Sequence, residues 1–291
     1  KLISLVYLGR EIEIIRLKDF KSIAKFKGHK YTIQAAAFSK NSKYFATGSQ
    51  DKTIRIYRTD NWKLHKILSD KKDQITAIVF SPDSKNISAG FEYGKYIKTW
   101  KIENGKLISK LNTRLSNTRR RNRKYVRRGH FGIKSLLYSK DGKTLISGGN
   151  IDHLIIFWNI QTGEQIKILR GHTSKIFHLS LNFSESHLLS SSFDSSLKLW
   201  NLKTNNQVSY VNMNNNWVMY TPDGYFDSSL NGGKSVIMVK NLKPYGFDQF
   251  ALIKNRPDII LKRIGLSEED QINHYQYSSS VGNIAIFLPD L

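Results

Sequence analysis

The chain has 291 residues and no cysteine, and its 46 lysines and arginines face only 23 aspartates and glutamates, a formal charge of +23. The missing thiols exclude disulfides, thiolate metal sites and a cysteine nucleophile, and no apolar run approaches the roughly 20 residues of a membrane span. The charge favours anionic surroundings such as nucleic acid, an acidic protein face or an anionic membrane, although the lysines are spread over the whole chain, as on a solvated basic surface.

Residues 1–27 read as three strands, KLISLVY, EIEIIRL and SIAKFK, a four-stranded unit short of its first strand. Residues 28–70 supply a complete unit: TIQAAAF, YFATGS, TIRIY and KLHKIL. Apolar residues alternate within the strands, and Asn, Ser, Gly and Asp fill the turns, as half-buried antiparallel strands require. Residues 71–111 repeat the pattern with ITAIVF, NISAG, YIKTW and KLISKL. An insertion follows at 112–128, NTRLSNTRRRNRKYVRR, and then two further repeats, 129–170 and 171–209. Residues 210–241 read as a weaker repeat, with YFDSS and SVIMVKNL as its next two strands around a hairpin turn at Leu230–Lys234. The periodicity then turns helical in FDQFALIKN and PDIILKRIGL, where Pro257 suits a first turn, and again in SEEDQINHYQY. Asn283–Asp290, NIAIFLPD, matches the inner strand and turn Thr76–Asp83, TAIVFSPD.

The repeats share a stride. His172 precedes Asp194 by 22 residues, and Trp200 follows by 6; His130, Asp152 and Trp158 keep both gaps, as do His29, Asp51 and Tyr57. Such self-similarity at about 42 residues marks a repeat architecture. In the second repeat the same places hold Lys72 and Gly94, so the polar clasp is missing there. A carboxylate that accepts from one imidazole nitrogen, while a second-strand hydroxyl bonds the other, satisfies polar groups in a nearly dry place.

This constellation resembles the WD-repeat β-propeller family. The resemblance implies an all-β propeller of about six blades, or seven if the chain is truncated, with a small helical C-terminal appendix and a last strand that closes the ring. The expected divisions are 1–241 for the propeller, 242–280 for the appendix and 281–291 for the closing strand. It also implies structural locks: His29, Ser49, Asp51 and Tyr57; His172, Ser192, Asp194 and Trp200; and His130, Asp152 and Trp158, with Asn150 replacing the hydroxyl residue. A narrower resemblance joins WVMYTPDGYFDSS and YGFDQFALIKNRPDIILKRIG to the closing segment of bacterial WD-repeat proteins that carry a caspase-like peptidase domain further along. It implies that this chain is the propeller part of a larger bacterial protein whose peptidase residues lie elsewhere.

No catalytic set emerges. The clasp histidines belong to separate repeats, so no metal site is expected and no cofactor is implied. The run Gly232-Gly233-Lys234-Ser235 imitates the end of a phosphate-binding loop, but Ser228 stands where its first glycine belongs, and a strand is expected where the motif needs a helix. The sharpest functional feature is the insertion: Arg114, Arg119, Arg120, Arg121, Arg123, Lys124, Arg127 and Arg128 crowd around Tyr125. Such a segment could clamp an acidic protein or neutralise phosphates while its ring stacks on a base. The sequence therefore predicts a non-enzymatic, cytoplasmic scaffold or sensor with a protein partner, an acidic segment or a linked domain. The alternative is a nucleic-acid or ribonucleoprotein binder acting through 112–128.

Overall fold

A computed structural model describes residues 2–7, 9–113, 132–240, 243–246, 251, 253–265, 269 and 272. The basic residues Arg114 to Arg128, His130 and the closing segment 281–291 lie outside the described residues, and so does the expected ring closure. The chain divides into two compact units, one of residues 1–179 with 192–194, the other of 180–191 with 195–291.

The first unit is built from antiparallel sheets in chain order. A three-stranded sheet, β1 (Leu2–Tyr7), β2 (Glu11–Arg16) and β3 (Ser22–Phe26), comes first. Three four-stranded sheets follow. One holds β4 (Ile33–Phe38), β5 (Tyr44–Ser49), β6 (Thr53–Arg58) and β7 (Leu64–Ser69). The next holds β8 (Ile75–Phe80), β9 (Asn86–Phe91), β10 (Tyr96–Lys101) and β11 (Leu107–Asn112). The third holds β12 (Ile133–Tyr138), β13 (Thr144–Gly149), β14 (Ile155–Asn159) and β15 (Gln165–Leu169). Strand β16 (Ile176–Leu181) begins the fourth repeat.

One device makes the first turn of the first three complete repeats, and in the fourth Asn182 Oδ1 takes the His187 amide at 3.0 Å instead. Ser81 Oγ receives the Asn86 amide at 3.0 Å, and the Ser84 amide bonds back to the Ser81 carbonyl at 2.8 Å. Ser39 and Ser139 do the same for Tyr44 and Thr144. The hydroxyl thus satisfies an amide that the hairpin would otherwise leave without a partner.

The sheets stack through glycine. Gly48, Gly90 and Gly148 hold one register position on β5, β9 and β13, and each faces the first isoleucine of the next inner strand. A Cβ at Gly48 would meet Ile75 Cγ2 at 2.6 Å, one at Gly90 would meet Ile133 Cγ2 at 2.6 Å, and one at Gly148 would meet Ile176 Cγ2 at 2.8 Å. Ile75, Ile133 and Ile176 are all 0% exposed. Burying each such side chain contributes about 1.5–3 kcal/mol, and the missing methyl group lets the next sheet approach. Around these contacts two clusters form, one on Ile54, Ile56, Ile87 and Trp100, the other on Leu145, Ile156 and Trp158.

The second unit departs from the expected repeat. Strands β17 (His187–Ser192), β18 (Leu197–Asn201), β19 (Gln207–Met213), β20 (Asn216–Tyr220) and β21 (Phe226–Ser228) pair successively and antiparallel. Residues 210–241 therefore do not start a sheet of their own: β20 and β21 extend the preceding one. The cause is the turn. Asn214 and Asn215 both have positive φ, 47° and 68°, the geometry of a tight two-residue hairpin that asparagine tolerates. Ser191 also stands at the glycine position of this repeat, so the stacking notch is filled. The segment after β21 differs too. Gly233–Ser235 is a short 3-10 turn, and β22 (Met238–Lys240) pairs with β23 (Lys243–Tyr245) instead of with β21.

The helical reading holds best at Pro257. Helix α1 (Pro257–Ile264) starts on that proline and stops at Gly265, which takes the left-handed conformation (φ 67°) and returns its amide to Leu261, as a helix-terminating glycine does. It packs on β18, β19 and β21 and buries Ile260, 1% exposed. His187 fixes its end: Nε2 donates to the Ile264 carbonyl at 2.6 Å, while Nδ1 accepts from Ser186 Oγ at 2.8 Å. Residues 251, 253 and 254 are also helical.

Candidate functional site

The clasps occupy one end of each repeat, between the loop before the inner strand and the turn joining the second and third strands. In the first, His29 Nδ1 donates to Asp51 Oδ2 at 2.8 Å, and the same oxygen receives the Lys30 amide at 3.0 Å. Asp51 Oδ1 takes the Thr53 amide at 3.0 Å and its hydroxyl at 2.5 Å. Burial pushes the Asp51 carboxyl up, but the bonds from Thr53, His29 and Lys30 together hold it below its ordinary value. Burial lowers His29 despite the carboxylate beside it, so the ring is neutral and Nε2 accepts from Thr47 Oγ1 at 2.8 Å. Tyr57, raised by burial, bonds Thr47 in turn.

The hydroxyl expected at Ser49 is therefore supplied by Thr47, two residues earlier on the same strand face. Ser49 does something else. Its Oγ donates to the Tyr31 carbonyl at 3.0 Å and receives the Asp51 amide at 3.1 Å, tying loop to turn. The fourth repeat copies this arrangement. Asp194 Oδ2 accepts from His172 Nδ1 at 2.8 Å and from the Thr173 amide at 2.9 Å, and Ser192 Oγ donates to the Ser174 carbonyl at 3.1 Å. Trp200 Nε1 donates to Ser190 Oγ at 2.8 Å.

In the third repeat the register corrects the expected role of Asn150. Trp158 Nε1 donates to Ser147 Oγ at 2.6 Å, so Ser147 fills the Thr47 place. Asn150, 5% exposed, instead donates to Glu92 Oε1 at 3.0 Å. The turn carrying Asp152 is one residue longer than in the first repeat, with His153 and Lys52 both at positive φ in equivalent places. Asp152 Oδ1 still caps the Leu154 amide at 2.9 Å.

In the second repeat, where Lys72 and Gly94 stand in place of the histidine and aspartate, a different carboxylate ties the loop to the turn. It comes from the opposite side. Asp73, in the loop before β8, accepts the Tyr93 amide of the turn at 3.1 Å and the Gln74 amide at 2.8 Å. Asp70, 6% exposed, receives the Lys98 ammonium. Burial holds Asp73 above its ordinary value.

Because His29 and Asp51 both lie below their ordinary values, the unfolded chain binds more protons than the folded one on acidification. The His29 contribution is complete above 6.5 and fades as pH falls below that value; the Asp51 contribution fades below 3.8. The melting temperature should therefore drop between pH 7 and pH 5, and drop less in His29→Gln. A rise over that interval, or the same drop in the variant, would contradict the assignment.

With the clasps spent on internal bonds, the exposed groups at this end form the candidate site. The inner strands β4, β8 and β12 lie side by side. Their second residues, Gln34, Thr76 and Lys134, share one register with Phe177 of β16. Lys134 Nζ donates to Gln34 Oε1 at 2.7 Å across a separation of 100 residues, so the strands converge there. Burial lowers Lys134, Glu92 opposes that shift, and Lys175 adds to it. Phe177 and Phe193 meet edge-on with centroids 5.9 Å apart and are 44% and 67% exposed. Tyr31 and Tyr93, 58% and 59% exposed, stand at the same end.

Sequence reasoning missed this rim. Strand alternation reveals two faces but not which of them is left open at an inner strand's first residues. At the opposite ends of β4, β8 and β12, Phe38, Val79, Pro82 and Tyr138 line an open cavity of about 280 Å³. Among the described residues no group of three His, Asp or Glu gathers for a metal, and no helix is long and apolar enough to cross a membrane.

Comparison with known proteins agrees with this architecture. The family profile "WD domain, G-beta repeat" matches residues 20–58, 62–101, 121–159 and 163–201, over half of the chain. "Periodic tryptophan protein 2 homolog" of Dictyostelium discoideum is 25% identical over 82% of this chain and 24% of that protein. "Apoptotic protease-activating factor 1" of Mus musculus is 26% identical over 66% of this chain and 17% of its own length. "Pre-mRNA-processing factor 19 homolog 2" of Arabidopsis thaliana is 21% identical over 81% of this chain and 42% of its own length. The chain thus spans less than half the length of these eukaryotic relatives.

Proposed function

Since the chain belongs to the WD-domain, G-beta repeat family, whose domains are generally non-catalytic scaffolds for protein interaction, we propose that it recognises a protein segment through the rim formed by Gln34, Lys134, Phe177 and Phe193. The observation that carries this reading is the division of labour at one end of the repeats. Two His–Asp pairs are consumed in clasps, while an amide, an ammonium bonded only to it among the described residues, and two aromatic rings line the rim beside them. Fold alone would not license a function; the convergence of these side chains gives it a site.

A peptide-display selection against the folded chain tests the proposal. Enrichment of a consensus whose binding is lost in Phe177→Ala is the expected result. No consensus, or one indifferent to that substitution, would contradict it.

The narrower form of the proposal makes this a cytoplasmic recognition module within a larger bacterial protein with a caspase-like peptidase domain. What supports it is the resemblance of 217–265 to the closing segment of such proteins. A coding sequence that flanks the chain without any Cys/His peptidase domain would remove it. A second reading, nucleic-acid binding through the basic insertion, is favoured by the charge of +23. It requires retention that weakens steeply with salt and is lost when Arg119 to Arg128 are reversed in charge.

A further inference from the structure

We propose that the partner segment is acidic and carries a large apolar side chain next to its carboxylates, an inference that rests on the scaffold reading above. The argument begins with two ammonium groups. Lys134 is half-buried and held only by the neutral Gln34 amide. Lys175 stands over the Phe193 ring at 5.9 Å. Among the described residues neither has a carboxylate in ion-pair contact, and each lysine's charge opposes the other's. Glu92 is an acid whose charge bears on Lys134, and Asn150 already occupies one of its oxygens.

The second element is apolar. Phe177 and Phe193 leave two neighbouring ring surfaces to water beside those cations. A carboxylate placed between Lys134 and Lys175 would relieve their repulsion through charge-assisted hydrogen bonds. An aromatic or long aliphatic side chain next to it would cover both rings. Either feature alone leaves the other half of the site solvated, so the two are needed together.

The groups present suit a peptide better than a nucleic acid. A nucleic-acid site gains its affinity from many phosphate contacts, whereas this rim offers two cations and the side-chain amide of Gln34 beside two aromatic rings. The Gln34 NH2, whose oxygen already accepts from Lys134, can donate to a backbone carbonyl of a peptide.

The test uses fluorescence anisotropy with the full chain and a short labelled peptide of glutamates around a single tryptophan. Matched probes carry lysines for the glutamates or glycine for the tryptophan, and a single-stranded oligothymidine of similar charge serves as a further probe. The first peptide should bind about tenfold or more tighter than the others. Lys134→Gln with Lys175→Gln, and separately Phe177→Ala with Phe193→Ala, should each cost about tenfold or more. Melting temperatures should be unchanged in both variants, since these side chains are exposed or half-exposed. Equal binding of the lysine or glycine peptide, tighter binding of the oligonucleotide, or unaffected variants would each overturn the inference. A display consensus without acidic residues would overturn it and leave the scaffold reading standing; a selection that yields no consensus would remove both.

Discussion

Gly48→Ala should destabilise the fold by about 1–3 kcal/mol, read as a lower urea midpoint with an unchanged slope. Gly48 does not use positive φ, so the backbone tolerates alanine. The cost is steric: the new methyl would sit 2.6 Å from Ile75 Cγ2 and 3.1 Å from Ile78 Cγ2. Ile75 is 0% exposed and belongs to the core that joins the first two repeats, so it has nowhere to move. Ile75→Ala alone should cost about 2–5 kcal/mol through lost burial and a cavity. The double variant should cost less than the two together by about 1 kcal/mol or more, because the alanine methyl enters the space vacated by Cγ2. Strict additivity would show that the two residues do not hold the sheets apart. Alanine at Gly90 or Gly148 should also destabilise, but with less rescue from shortening the facing isoleucine, because Ile133 Cβ itself would lie 2.8 Å from the new methyl and Ser135 Oγ crowds the one at Gly148.

The second large effect belongs to the first clasp. Asp51→Ala strips the acceptor from the His29 ring, from the Lys30 and Thr53 amides and from the Thr53 hydroxyl in one change. Buried groups left without partners cost about 1–3 kcal/mol each, less where water reaches them. With the His29 and Asp51 side chains only 2% and 6% exposed, the loss should be about 3 kcal/mol or more. His29→Ala should cost less, since the carboxylate retains its other donors. The pair should be markedly non-additive, because either change already breaks the shared bond. A loss under about 1 kcal/mol for Asp51→Ala would show that the clasp is ornamental to stability.

The fold was legible because its recurring constraints are local. Alternating apolar residues mark the strands, and the His-to-Asp stride marks the repeats. Yet the stride also misled. In the third repeat the 22-residue gap survives because His130 precedes Ile133 by one residue fewer in sequence than His29 precedes Ile33, while the turn before Asp152 is one residue longer. Counting alone cannot separate these compensating changes, and it puts Asn150 at a place that register gives to Gly149 and Ser147. In the second repeat, position-matching to Lys72 and Gly94 gives no sign of the tie between loop and turn, because Asp73 supplies a carboxylate from the other strand connection. The extension of the last sheet had a readable signal in the Asn214-Asn215 pair. Residues between strands were expected to lead into a new sheet, and two asparagines at positive φ return the chain to the old one.

The candidate site was less legible than the fold. Its residues lie in four repeats, and nothing in their local sequence marks them as neighbours. Phe177 reads as one more apolar strand residue, and Lys134 as one of many lysines. Only the shared register of Gln34, Thr76, Lys134 and Phe177 brings them to one rim. The basic insertion, by contrast, was conspicuous in composition, but charge density alone does not distinguish a partner site from a solvated loop.

Amide hydrogen exchange on the chain with and without the acidic tryptophan peptide tests the rim most directly. Protection should appear at the starts of β4, β8, β12 and β16 and in the turns carrying Glu92 and Phe193. Protection confined to β22, β23 or α1, with those strand starts exchanging as in the free chain, would contradict the assignment.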